Sequence, residues 1–86
     1  MNVEETIKQF ISEEILFGEN SGKLDPNESL LRNGTLDSMA LLRLVAFIEE
    51  RFNVTVDDGE LIPDNFETVN LINDFVEMKR QASTPS

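Results

Sequence analysis

Apolar residues recur at three- and four-residue intervals in three separate stretches of this 86-residue chain. That period places each stretch on a helix with one buried stripe. The first runs from about Val3 to Phe17, with Val3, Ile7, Phe10, Ile11, Ile15 and Leu16 in the stripe. Asn2 is its N-cap, Glu5 completes a capping-box pattern, and Gly18 supplies the stop. The second runs from Ser38 to about Asn53 behind an Asp37 N-cap and turns Leu41, Leu44, Val45, Ile48 and Phe52 to the core. It is more apolar than one stripe requires, so some of Met39, Leu42, Ala46 and Phe47 stay exposed or partly covered. Phe47 is assigned to packing against a neighbouring helix. The third stretch, about Val69 to Lys79, has Thr68 as its cap and Val69, Ile72, Phe75 and Val76 as its inner face.

The connections are unequal. Gly18 to Leu36 is long for a compact domain, and loops of that length are suspected of function. It holds the turn formers Gly22, Pro26 and Asn33-Gly34, while Leu24, Leu30, Leu31 and Leu36 can pin it to the core. Ser29-Leu30-Leu31 can form a short helical turn. Asn53 to Glu67 is acidic and broken by Gly59 and Pro63, with Val54, Val56, Leu61, Ile62 and Phe66 as inward anchors. It has room for one short helix, around residues 58–62 or 64–66. The expected fold is all-α: a small four-helix bundle of three main helices and one short helix, with a long loop between the first and second. One domain spans residues 1–80, and residues 81–86 read as a flexible tail.

Composition removes whole classes of function. With no cysteine and no histidine there is no disulfide, and a zinc or haem site is excluded from expectation. Asp57, Asp58, Glu60 and Asp64 lack the alternating spacing and closing glutamate of a calcium loop. A net charge of −10 disfavours nucleic acid and anionic membrane and favours basic partners. The acidic start of the chain does not read as a signal peptide, and its apolar runs are too short to cross a membrane. The expectation is a cytoplasmic monomer without membrane insertion.

Against that background, Gly34-Thr35-Leu36-Asp37-Ser38-Met39 is chemically odd: a turn, then a serine at a helix start with no base to activate it. A serine nucleophile needs a group to take its proton. The nearby basic residue, Arg43, cannot serve as a general base at neutral pH. No catalytic residue is therefore expected, and any covalent chemistry at Ser38 belongs to another protein.

Leu36-Asp37-Ser38-Met39 at the start of the second helix resembles the attachment motif of acyl and peptidyl carrier proteins. The likeness covers most of the chain: helix, long loop ending in Asn33-Gly34-Thr35-Leu36, motif, helix ending in Glu49-Glu50-Arg51-Phe52, short helix and final helix. The resemblance implies a 4′-phosphopantetheine arm on Ser38, delivered from coenzyme A by a phosphopantetheinyl transferase. Its thiol would carry acyl or aminoacyl groups as thioesters. Asp37 and Met39 would belong to the recognition motif. Leu36, Leu42, Arg43, Ala46, Glu49 and Glu50 would join Met39 on the side facing partners, namely the transferase, a loading ligase and a downstream synthase or transferase.

Leu-Asp-Ser-Met is also similar to the motif of D-alanyl carriers, and Leu61 to Val69 resembles freestanding peptidyl-carrier-type proteins. Arg43 stands where fatty-acid carriers often have an acid. These features point to a discrete carrier in a specialised lipid, polyketide or nonribosomal-peptide-type pathway. The alternative is a small acidic helical adaptor that binds a basic protein without covalent modification.

Overall fold

The computed structural model describes residues 2–15 and 25–83. Helix α1 spans Val3–Phe10 and continues as a wider, π-helical turn over Ile11–Ile15. Helix α2 spans Ser38–Phe52, a single 3-10 turn covers Asp58–Glu60, α3 is Pro63–Phe66, and α4 is Val69–Ser83. Among the described residues there is no strand, and no helix is long and apolar enough to cross a membrane. The architecture is the expected small helical bundle.

The three longer helices, α1, α2 and α4, each start where a side chain satisfies a free backbone N–H group. Asn2 Oδ1 accepts from the Glu5 N–H at 2.8 Å, and Thr68 Oγ1 accepts from the Leu71 N–H at 3.1 Å. The expected stop of the first helix at Phe17–Gly18, together with Leu16 and Leu24, lies outside the described residues. Helix α4 runs beyond Lys79 to Ser83, so residues 81–83 are helical where the sequence pattern ends the helix earlier.

The core is built from one stripe per helix. Val3, Ile7 and Ile11 of α1, Leu44, Val45 and Ile48 of α2, and Val69, Ile72, Phe75 and Val76 of α4 are buried together. Helix α1 packs chiefly on α4, and Phe66 of α3 meets Phe75 of α4 with ring centroids 5.2 Å apart. Leu41 and Phe52, expected in the core, are half-buried against it, while Ala40 is buried in the α2 stripe. Phe47 stacks on Phe10 of α1 at 4.3 Å, the helix-to-helix role expected of it.

The stretch after α2 differs from expectation in two respects. Both candidate positions for a short helix are used, one by the 3-10 turn and one by α3. Pro63 explains the break between them, since it lacks an N–H and suits the first turn of a new helix. Ile62, expected to point inward, is 43% exposed. It is the extended residue immediately before α3, and the core beneath is filled by Phe66 and Val54 instead.

Candidate functional site

The loop that leads to Ser38 is held by polar bonds more than by its own secondary structure. Leu30 and Leu36 are buried and act as its anchors. Between them the chain makes a tight return: the Leu36 N–H bonds to the Leu30 carbonyl at 2.9 Å, and the Thr35 N–H bonds to Asn33 Oδ1 at 2.9 Å. Gly34 takes φ +82°, a left-handed conformation natural to glycine. Ser29 starts the expected single helical turn, its carbonyl accepting the Asn33 N–H at 3.1 Å and its Oγ the Arg32 N–H at 3.1 Å.

Buried Leu36 fixes where the next residue can go. Asp37 is extended, and its Oδ1 accepts the Ala40 N–H at 2.8 Å, while its carbonyl accepts the Leu41 N–H at 2.8 Å. This is the N-cap expected from sequence. It leaves the N–H groups of Ser38 and Met39 without a protein acceptor among the described residues. Ser38 itself is exposed, at the positive end of a 15-residue helix. A cleft of about 300 Å³ lies alongside, lined by Ile15, Gly34, Thr35, Asp37, Met39, Ala40 and Arg43. The π-helical turn of α1 brings Ile15 to this cleft. Glu14 of the same turn lies 3.8 Å from the Arg43 guanidinium, both side chains about half exposed.

Of the residues assigned to the outer side of α2, Met39 is 70% and Leu42 55% exposed, and Arg43, Ala46 and Glu50 are also exposed. Together with Ser38 they form a continuous outer surface. Leu36 does not join it. At 3% exposure it belongs to the core, because it is the anchor that closes the loop before the cap, and its assignment to a partner surface is corrected. Glu49 is half-buried and turned to the protein: its Oε2 accepts the Val56 N–H at 2.8 Å. Its place on the helix lines up with Ser38, but it sits at the end where the chain folds back.

Two contributors went unnoticed at the level of sequence. Asn53 takes φ 55°, ψ 50° and ends α2 with its N–H on the Glu49 carbonyl; an asparagine just after a helix is a usable signal for that turn. Glu67 bonds across to the loop before Ser38, with Ser29 Oγ donating to its Oε2 at 2.8 Å and the Leu30 N–H to its carbonyl at 2.7 Å. No local pattern announces a contact between residues so far apart in sequence. In the acidic stretch, Glu60 Oε1 accepts from the Asp57 N–H at 3.0 Å and from Lys79 Nζ at 2.9 Å. The backbone bond, then the lysine, hold its carboxyl below the ordinary value of 4.5.

Residues 5–76 match the family model described as a phosphopantetheine attachment site. A D-alanyl carrier protein of Streptococcus suis is 39% identical over 79 residues, covering 91% of this chain and 96% of that protein. An acyl carrier protein of Desulforapulum autotrophicum is 34% identical over 83 residues, covering 96% of this chain and all of that one (100%). Among solved structures, the holo acyl carrier protein of Nitrosomonas europaea superposes with a TM-score of 0.78 at 33% identity, covering 94% of this chain and 99% of that one. An exposed serine at a helix start and these matches agree: the chain belongs to the phosphopantetheine-attachment family and is a non-catalytic carrier of the acyl carrier protein kind.

Proposed function

We propose that 4′-phosphopantetheine is esterified to the Ser38 hydroxyl, and that the chain is a freestanding carrier of acyl or aminoacyl groups in a specialised lipid, polyketide or nonribosomal-peptide-type pathway. The start of α2 carries this reading. A phosphodiester on Ser38 Oγ would lie beside the N–H groups of Ser38 and Met39 that the Asp37 cap leaves over, at the positive helix end. The neighbouring cleft adds the Arg43 cation and the apolar side chains of Ile15 and Met39. The residues present therefore fit the group. When bound, the arm supplies the terminal thiol that a chain without cysteine lacks, and that thiol holds the cargo as a thioester.

The chain's own part is to expose the hydroxyl, fix its direction and offer a surface. The chain has no histidine or cysteine to take the serine proton, so in this reading the transferase supplies the base. Met39, Leu42 and Ala46 give an exposed apolar strip, and Glu50 a charged margin, on which a transferase, a loading ligase and a downstream synthase would dock in turn. Excess negative charge speeds the approach of basic partner surfaces. The expected place of action is the cytoplasm.

The relatives' names include both D-alanyl and acyl carriers, and the cation at Arg43 favours a specialised cargo over general fatty-acid synthesis. The intact mass of the protein isolated from its own host tests both parts of the reading. One phosphopantetheine group on Ser38, with an acyl or aminoacyl increment, is the expected result. Unmodified native protein, with function retained by Ser38→Ala, would sink it and leave the adaptor.

A further inference from the structure

We propose that Glu67 is a positioning residue for the modification of Ser38: it holds the preceding loop in the shape from which the hydroxyl is presented. The proposal rests on the reading of Ser38 as the attachment residue, and it concerns a residue far from that serine in sequence.

Glu67 ends α3, with its own N–H on the Pro63 carbonyl at 2.9 Å. From there it touches the loop at three nearby points. Its Oε2 accepts Ser29 Oγ–H at 2.8 Å, its carbonyl accepts the Leu30 N–H at 2.7 Å, and the same Oε2 lies 3.7 Å from Arg32 Nε. What it holds leads directly to the site. The Leu30 carbonyl accepts the Leu36 N–H at 2.9 Å, which closes the return around Gly34, and Leu36 is followed by the Asp37 cap and Ser38. The direction of the hydroxyl thus depends on a loop whose far end is fixed by a residue of α3.

The three contacts are unequal. The Ser29 bond is partly buried and donates to a charged acceptor, the stronger kind of hydrogen bond. The Arg32 side chain is 87% exposed, and such surface pairs contribute little. The Leu30 bond uses backbone and survives any side-chain change. What matters in the Glu67 side chain is an acceptor for Ser29, and its charge is secondary. Loops open locally at low free-energy cost. Loss of one such bond therefore lowers the fraction of molecules ready to bind the transferase, which raises the apparent KM and leaves the chemical step alone.

The test measures transfer from coenzyme A by a broad-specificity phosphopantetheinyl transferase, with the full-length carrier as the varied substrate. Glu67→Ala should raise KM by up to about fivefold, the worth of one net hydrogen bond, with kcat held, and Ser29→Ala, which also loses the Arg32 N–H bond to its Oγ, should raise it at least as much. The double variant should be no worse than Ser29→Ala alone. Glu67→Gln should stay near wild type, because its amide oxygen still accepts from Ser29. Glu60→Gln removes a carboxylate that holds α4, not the loop, and should leave both constants unchanged. Amide exchange gives a readout independent of modification: the Leu36 N–H should exchange faster in Glu67→Ala, and the Val56 N–H should not. Wild-type KM in folded Glu67→Ala, additive losses from the two single variants, or a Gln variant as poor as Ala would each overturn the proposal. Should Glu67→Ala fail to fold, Ser29→Ala and Glu67→Gln decide it alone. If wild type is never modified, the attachment reading fails instead, and Leu36 exchange still shows whether Glu67 holds the loop.

Discussion

At its start, α2 is capped by a side chain that takes only the Ala40 N–H, and the serine beside it faces solvent. At its end, Asn53 and Val54 both return N–H bonds to the Glu49 carbonyl, and the Glu49 carboxylate collects the Val56 N–H. One end keeps donors available, and at the other the carbonyl and carboxylate of Glu49 collect three N–H groups of the departing chain. Both ends carry an acidic residue, Asp37 or Glu49, so charge alone does not distinguish them. The difference lies in what the chain does next to the helix. Before Ser38 it arrives from a loop tied down elsewhere, by Glu67 and by the Asn70 bonds to Pro26 and Asn27. After Phe52 it folds straight back over the helix end. The open end suits a large covalent group, and the closed end fixes the path of the chain that leaves α2.

Substitutions at the two ends should therefore fail in different ways. Ser38→Ala has the largest expected effect: complete loss of modification by transferase and coenzyme A, read by intact mass, with unfolding by denaturant within about 0.5 kcal/mol of wild type, as for most surface changes. Asn53→Val forces a β-branched residue into the left-handed region. It should cost about 1–2 kcal/mol of stability while leaving the transfer rate of the folded protein unchanged; Asn53→Gly should keep stability close to wild type. Asp37→Ala belongs to both categories. Removal of the cap should cost about 1 kcal/mol and also slow the transfer, since Asp37 sets the turn at Ser38. Equal losses of transfer from Asn53→Val and Asp37→Ala would dissolve the distinction between the ends.

The smallest effect concerns pH and the region beyond the closed end. The Glu60 carboxyl is held below 4.5 in the folded chain by the Asp57 N–H and then by Lys79. A depressed folded value means that the charged form is favoured by folding, so its contribution is fully present above 4.5 and disappears as pH falls through the lowered value. The stability difference between wild type and Glu60→Gln should accordingly shrink with acidification below 4.5, and denaturant titrations at stepped pH measure it. The contribution is modest because the Glu60 side chain keeps about a quarter of its surface in solvent, 27%. A difference that grew on acidification would contradict the assignment.

How much of this was legible in the sequence follows from the range of each interaction. The bounds of α2, its Asp37 cap and the bare Ser38 are set by neighbours within four residues, and the periodicity of Leu44 and Ile48 identified the core face. Asn33-Gly34 marked the turn for the same reason. Leu36 was ambiguous, as an apolar residue beside a motif suits an anchor or a partner surface; burial by the loop's return makes it an anchor. Glu49 was placed outward by the family resemblance and by its alignment with Ser38 on the helix, neither of which includes the chain that folds back over the helix end. Glu67 was missed because Ser29 meets it only after α2 and α3 are in place. The fold and the exposed serine at the start of α2 were legible as local chemistry, and the support around them was not.

The central claim is that the open end of α2 is an attachment point whose chemistry comes from a partner. Its most direct test is to incubate the purified apo protein with coenzyme A and a broad-specificity transferase, then map the product at the level of peptides. The account predicts one phosphopantetheine group, located on Ser38. An unmodified chain after treatment with several competent transferases, or a group located on another residue, would contradict it.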